Sequence, residues 1–364
     1  MTKALSAFRY LGLVLVGLLI FGASAQAPSD EQLQQTAQAL FAPLPEVVDS
    51  VENPVTAEKV ELGKMLYFDP RLSISGFVSC NSCHNLATYG VDNLPTSLGH
   101  RWALGPRNSP TVLNAALHAT QFWDGRAADV EEQARGPILN AIEMAIPHEA
   151  DAVERIASIP RYTELFEDAF GDAAEPVTYT RIAAAIAAFE RTLTTPDRFD
   201  EYLRGDLDAL DELETAGLRA LIDYGCAGCH GGAALGGSVM ARFGMVEAYW
   251  EATREFVTID SPTMPMDVGR FAVTQDPADL YVFKTPSLRN ITRTYPYFHD
   301  GSVWSLEDAT QIMARVQLGR EIAPDDMEAL LAFYGTLEGE IPPHALQLPV
   351  LPASTDATPR PDHR

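Results

Sequence analysis

All four cysteines of this 364-residue chain fall in two C-x-x-C-H units, CNSCH at 80–84 and CAGCH at 226–230. Two thiols one turn apart with a histidine directly behind them form the attachment pattern of c-type haem. Both thiols bond to the porphyrin edge, and the histidine reaches the iron from one face. The spacing has a geometric cause, since two thioethers and one axial ligand must come from a single turn of chain. A zinc ribbon joins its C-x-x-C pairs by roughly 15–20 residues, far fewer than separate these, and it leaves the two histidines without a purpose. A redox C-x-x-C would sit beside a βαβ pattern, and none is visible. Cys80, Cys83 and His84 therefore read as the anchor of one covalent haem, and Cys226, Cys229 and His230 as the anchor of a second. Each iron then has one protein ligand and one undecided face. A filled face transfers electrons, whereas an open one binds peroxide or oxygen.

Such haems are attached outside the cytoplasm, and the N-terminus agrees. Lys3 and Arg9 precede an apolar run from Leu11 to Phe21, and Ala23-Ser24-Ala25 forms an A-x-A cleavage site. The run falls short of the ~20 residues that span a bilayer. Residues 1–25 are thus expected to be a signal peptide, removed near Ala25/Gln26 to leave a soluble periplasmic protein with no membrane segment. A net charge of −24 excludes a binder of nucleic acid, whose footprint is basic. It permits a basic protein partner steered by the opposite field. The apolar fraction of 46% is enough for real cores.

The elements around the anchors read as helices. TAEKVELGKMLYF (56–68) carries Val60, Leu62, Leu66 and Tyr67 on a mainly apolar side and leads to the first anchor. ELETAGLRALIDYG (212–225) repeats Leu218, Leu221 and Ile222 ahead of the second. RIAAAIAAFERTL (181–193) is alanine-rich and lines up Ile182, Ile186, Phe189 and Leu193. TTPDRFD (194–200) marks a boundary, because Pro196 stops the helix. Ser305 and Asp308 have capping-box spacing for a helix through Leu318, with Gly319 placed to end it. A further helix is expected over 325–337. Strand signals are sparse, 231–265 resists assignment, and the proline-rich 341–364 should be extended. The fold class is mainly α.

Several blocks then carry a family resemblance: LGKMLYFDPRLS (62–73), CNSCHN (80–85), GPRNSPTVLNA (105–115), QFWDGR (121–126), GRFAVT (269–274) and YPYFHDGSVWSLEDA (295–309). Together, over roughly residues 45–340, they resemble the bacterial dihaem cytochrome c peroxidases. The resemblance implies two cytochrome c-like haem domains joined by long irregular loops. The peroxidatic domain would occupy 26–193 and the electron-transfer domain 194–340. It implies His100 as a displaceable distal ligand on the first iron, and Met313 as the distal ligand on the second. Glu143 would be the catalytic acid–base, Gln133 a second polar residue in its pocket, and Trp123 a bridge between the haems. Asn108, Thr294 and Pro296 would hold an inter-domain calcium ion through oxygen atoms. On the residues alone these positions are less distinctive. His100 reads as a loop histidine, Glu143 as a solvated helix residue, and Trp123 and Met313 as core. Met240, Met245, Met264 and Met266 are rival thioethers. His299 belongs to a family block without a ligand role, and His118, His148 and His344 have none.

The implied activity is reduction of hydrogen peroxide with electrons from a small cytochrome c or a cupredoxin, in a homodimer. Two rivals stand beside it. The related dihaem enzyme of methylamine utilisation matures a quinone cofactor on another protein; it has tyrosine in place of the methionine ligand and lacks the blocking histidine. A plain dihaem electron carrier would keep both irons permanently six-coordinate.

Overall fold

The computed structural model, which describes residues 29–256 and 266–363, is mainly helical. The expected signal segment and its cleavage site lie outside the described residues, as does Met264. Ser29 opens α1 (Asp30–Leu40) with a reciprocal capping box to Gln32. Thr56 caps α2 (Ala57–Phe68) by accepting from the Lys59 N–H at 3.3 Å. There follow α3 (Val130–Leu139), α4 (Glu149–Ala157), α5 (Pro160–Phe170) and α6 (Tyr179–Glu190). Beyond the Pro196 boundary lie α7 (Arg198–Leu203), α8 (Glu212–Asp223), α9 (Leu306–Met313) and α10 (Pro324–Thr336). The helices expected from periodicity are all present. Among the described residues the one sheet is a two-stranded antiparallel ribbon. It pairs β1 (Met240–Arg242) with β2 (Val282–Lys284) and sets Met240 opposite Lys284.

The two halves are built on the same crossing. In the first, α2 packs on α6 where Gly63 meets the backbone of Ala185; in the second, α8 packs on α10 where Gly217 meets Ala329. A Cβ at Gly63 would lie 1.8 Å from the Ala185 carbonyl oxygen, and one at Gly217 1.9 Å from that of Ala329. Only a residue without a side chain allows either pair to touch. Each crossing precedes a haem anchor, so it fixes the direction from which the anchor enters. Gly63→Ala or Gly217→Ala should therefore destabilise the holoprotein by about 1–3 kcal/mol through overpacking, read as a fall in thermal midpoint with haem retained.

Three apolar clusters form among the described residues. The first, with Leu62, Tyr67, Ile182 and Phe189, draws mainly on 62–193. The second includes Leu218, Leu221, Leu330 and Phe333. The third, with Phe243, Phe283, Val303 and Ile312, takes Trp123 and Met313 against its edge. The expected boundaries of 26–193 and 194–340 differ from this packing at the ends. Leu33 and Ala37 of α1 and Phe41 just after it sit in the second cluster, because the apolar face of α1 lies on α7; the Gln34 and Gln38 amides donate to Tyr202 and Leu203 carbonyls at 2.9 Å. In the tail, Ala345 is buried in the first cluster. The chain then runs extended over the first half: Arg71 donates to Pro352 O at 2.8 Å, and His363 stacks on Phe77 at 4.8 Å.

Candidate haem sites

The first anchor is a single helical turn, Cys80–Cys83, followed by His84. His84 Nδ1 donates to the Pro110 carbonyl at 2.9 Å, and the Tyr67 hydroxyl donates to the His84 carbonyl at 2.6 Å. Burial lowers the His84 pKa, so the ring is neutral, and the Nδ1 bond leaves the Nε2 lone pair as its ligating atom. Burial also raises both thiols, Cys83 to about 11, and no disulfide joins the four cysteines. The second anchor repeats the arrangement. His230 Nδ1 donates to the Leu235 carbonyl at 3.3 Å, and burial pushes the ring down to about 4.

A cavity opens against the second anchor, lined by Cys226, Cys229 and His230 on one side and by Thr310, Met313 and Trp123 on others. Met313 ends α9, and the chain continues as a π turn over Ala314–Leu318 before Gly319 closes it at φ 62°. Such bulges frequently mark functional sites because they re-aim a side chain. Of the rival thioethers, Met240 is occupied with the Thr120 hydroxyl at 3.9 Å and Met266 is half-exposed. Met245 reaches the cavity from a largely exposed position.

His100 and Glu143 come together through backbone. The His100 N–H donates to the carbonyls of both Ile142 and Glu143 at 2.8 Å. A Cβ at the preceding Gly99 would lie 2.1 Å from Ile142 O, so the two loops are in contact. Arg101 and Trp102 take left-handed φ of 57° and 61°, with Trp102 79% exposed. Among the described residues, His100 Nδ1 is buried without a partner. Glu143 has its pKa raised by burial, against the Arg126 charge and a 2.8 Å bond from the Asn140 amide. Its charge contributes to the rise at Cys80 and Cys83, which puts the carboxyl within electrostatic reach of the first anchor. Gln133 lies on α3, and among the described residues its side chain makes no hydrogen bond.

One segment serves both anchors. Asn108 O accepts from Trp123 Nε1 at 2.9 Å, and two residues on, Pro110 O holds His84. Asn108 and Pro110 also line the second cavity. Arg107 fixes the segment by pairing with Asp124 and Asp267, each at 2.6 Å. Thr294 and Pro296 reach the same cavity as Asn108. The sequence reading missed the carbonyls of Pro110 and Leu235, which carry no side-chain signal. It also missed Lys284, whose cue was a lone charge directly after the apolar run YVF.

A family model described as di-haem cytochrome c peroxidase matches residues 57–208. The chain is 47% identical to cytochrome c551 peroxidase of Pseudomonas aeruginosa, over 96% of this chain and 98% of that protein. It is 49% identical to cytochrome c551 peroxidase of Nitrosomonas europaea, over 84% of this chain and 87% of that one. The chain belongs to the di-haem cytochrome c peroxidase family. Relatives named as methylamine utilisation protein MauG are more distant. Among solved structures, a MauG-like protein associated with microbial copper homeostasis superimposes with a TM-score of 0.71 at 29% identity, covering 84% of this chain and 97% of that one. Family membership implies two haem c groups, and the residues fit them. Each anchor pairs two half-buried, unbridged thiols with a neutral histidine whose Nδ1 is committed to a carbonyl, the donor set that c-type attachment requires.

Proposed function

We propose that this protein is a periplasmic reductase of hydrogen peroxide, fed by a small cytochrome c or cupredoxin. The observation that carries the reading is the junction of the His100 loop with the half-buried Glu143 beside the first anchor. When bound, the two haems supply the iron that receives peroxide and the two electrons that, with two protons, convert it to two waters. The chain's own part is placement and proton handling. His84 and His230 are held as neutral ligands from one side. Met313 would offer a thioether to the second iron, which favours the ferrous state and suits a haem that collects electrons. His100 would be the displaceable ligand of the first. Its loop stores backbone strain at Arg101 and Trp102, which supports a rearrangement that clears the distal face. Glu143 takes a proton from the near peroxide oxygen and returns it to the far one, and burial brings its pKa closer to working pH for that task. Trp123, bonded to the segment that also holds His84, would bridge the haems.

Asn108, Thr294 and Pro296, which line the same cavity, are the proposed oxygen ligands of a calcium ion. Export through the 1–25 signal and a homodimeric state complete the reading. The test is peroxide turnover with a reduced cytochrome donor, comparing fully oxidised with half-reduced enzyme and following each by absorption and spin resonance. A high-spin signal and rapid turnover should emerge only on half-reduction. Equal spectra in the two states would instead favour a plain electron carrier.

A further inference from the structure

Lys284 is a buried cation in an unusual position. It closes β2, is 5% exposed, and among the described residues no carboxylate pairs with it. Its ammonium donates to Nδ1 of His118 at 2.8 Å. Since Nδ1 accepts, the neutral imidazole carries its proton on Nε2, and among the described residues that buried atom has no partner. Burial and the Lys284 charge both keep His118 neutral. The close approach is built in: a Cβ at Gly237 would lie 2.1 Å from the His118 ring, so the chain beyond the second anchor leaves the ring its place. The dyad thus presents an ammonium and an imidazole N–H, all donors and no acceptor. Burying a cation without a counter-charge costs several kcal/mol per ion, so the arrangement calls for an anion.

The cavity says which anion. Lys284 and His118 line the same space as Cys226, Cys229 and His230, and Lys284 is the sole charged side chain among its lining residues. The rest of the wall is mostly aromatic and aliphatic, suited to a porphyrin face. A haem c tethered there brings its own two carboxylates, fixed in place by the thioether bonds. We propose that Lys284 and His118 form the docking site for a propionate carboxylate of the C-terminal haem and thereby raise the reduction potential of that haem. The inference rests on the reading of Cys226, Cys229 and His230 as a haem anchor. A cation beside the propionate offsets a negative charge that otherwise favours ferric iron, and the low dielectric of the cavity preserves the effect. Lys284 is in this sense a positioning and tuning residue. It lies in the chain next to Phe283 and bonds through its own N–H to the Trp123 carbonyl at 2.7 Å, so the charge is held rigidly.

The experiment is a spectroelectrochemical titration of the holoenzyme, with haem counted per chain beforehand. Two haems per chain in wild type test the anchor reading separately; one haem would end that reading before any potential is measured. Lys284→Gln should lower the midpoint potential of the C-terminal haem and leave the N-terminal haem unchanged, while Lys284→Arg keeps the wild-type value. His118→Gln should shift the same haem downward by less. The propionate-bending bands in the resonance Raman spectrum should move in both glutamine variants. Should Lys284→Gln fail to retain its haem, His118→Gln decides. Unchanged potentials and unchanged propionate bands in the glutamine variants would overturn the proposal. So would a wild-type potential that varies with chloride or phosphate beyond general ionic strength, because the site would then hold a free anion.

Discussion

Glu143→Gln is expected to reduce peroxide turnover by about 10²–10⁴-fold, the usual worth of a positioned proton shuttle. Glutamine keeps the shape of the side chain and can still meet the Asn140 amide, which donates to Glu143 Oε1 at 2.8 Å in the native chain. It cannot take up a proton. Haem spectra and thermal stability should therefore stay near wild type while the rate collapses. A pH profile gives a second readout. Burial raises the Glu143 pKa, so the carboxylate form is lost at a higher pH than for an exposed glutamate. Activity should fall as pH drops through that raised value, and the variant should lose this acid limb. A variant with wild-type turnover would remove Glu143 from the mechanism.

Arg289→Met should be the most damaging structural change. Arg289 is fully buried, with Asp197 at 2.5 Å and Asp200 at 2.7 Å, and both carboxylates are equally buried. Its Nε also donates to the Ala233 carbonyl at 3.0 Å, just beyond His230. Removing one partner of a buried ionic cluster leaves uncompensated charge and costs about 3–5 kcal/mol. Denaturant unfolding of the holoprotein measures it. Burial pushes the Asp197 pKa upward even with Arg289 in place, and losing the guanidinium must push it further. A carboxyl whose folded pKa exceeds its unfolded value gains stability as pH falls through the folded value. The deficit of the variant should thus narrow on acidification, which a simple packing defect would not do.

The haem anchors and the main helices were legible because their signals are local. A C-x-x-C-H unit is read within five residues, and the apolar stripe of α6 repeats every turn from Ile182 to Phe189. The resemblance to a family supplied His100, Glu143 and Met313, which periodicity alone would have assigned to loop and core. What stayed hidden depends on pairings between distant segments. Lys284 and His118 lie 166 residues apart, and neither carries a motif. His118 looked inert because its function depends on a neighbour no pattern announces. Trp123 and His84 were each read separately, but their common support on Asn108 and Pro110 runs through carbonyl oxygens, which every residue type has. The ends of the two halves misled for the same reason. An amphipathic helix such as α1 states that it will be covered, not by which half.

That exchange of ends has a consequence for taking the molecule apart. The first helix and the residue just after it bury Leu33, Ala37 and Phe41 in the second core, while the last segment buries Ala345 in the first and reaches back to Phe77 beside the first anchor. The backbone after α1 also pairs with Gly232, two residues past His230, where Gly232 N donates to Leu40 O at 2.9 Å. A cut near residue 194 would yield two fragments, each lacking an arm that its own core needs and carrying one that belongs to the other. Neither fragment should fold well alone, but a mixture of the two could reassemble, because each brings the missing arm of its partner. In the intact chain the same clasp makes melting of one half strip cover from the other, so the pair should unfold in one step.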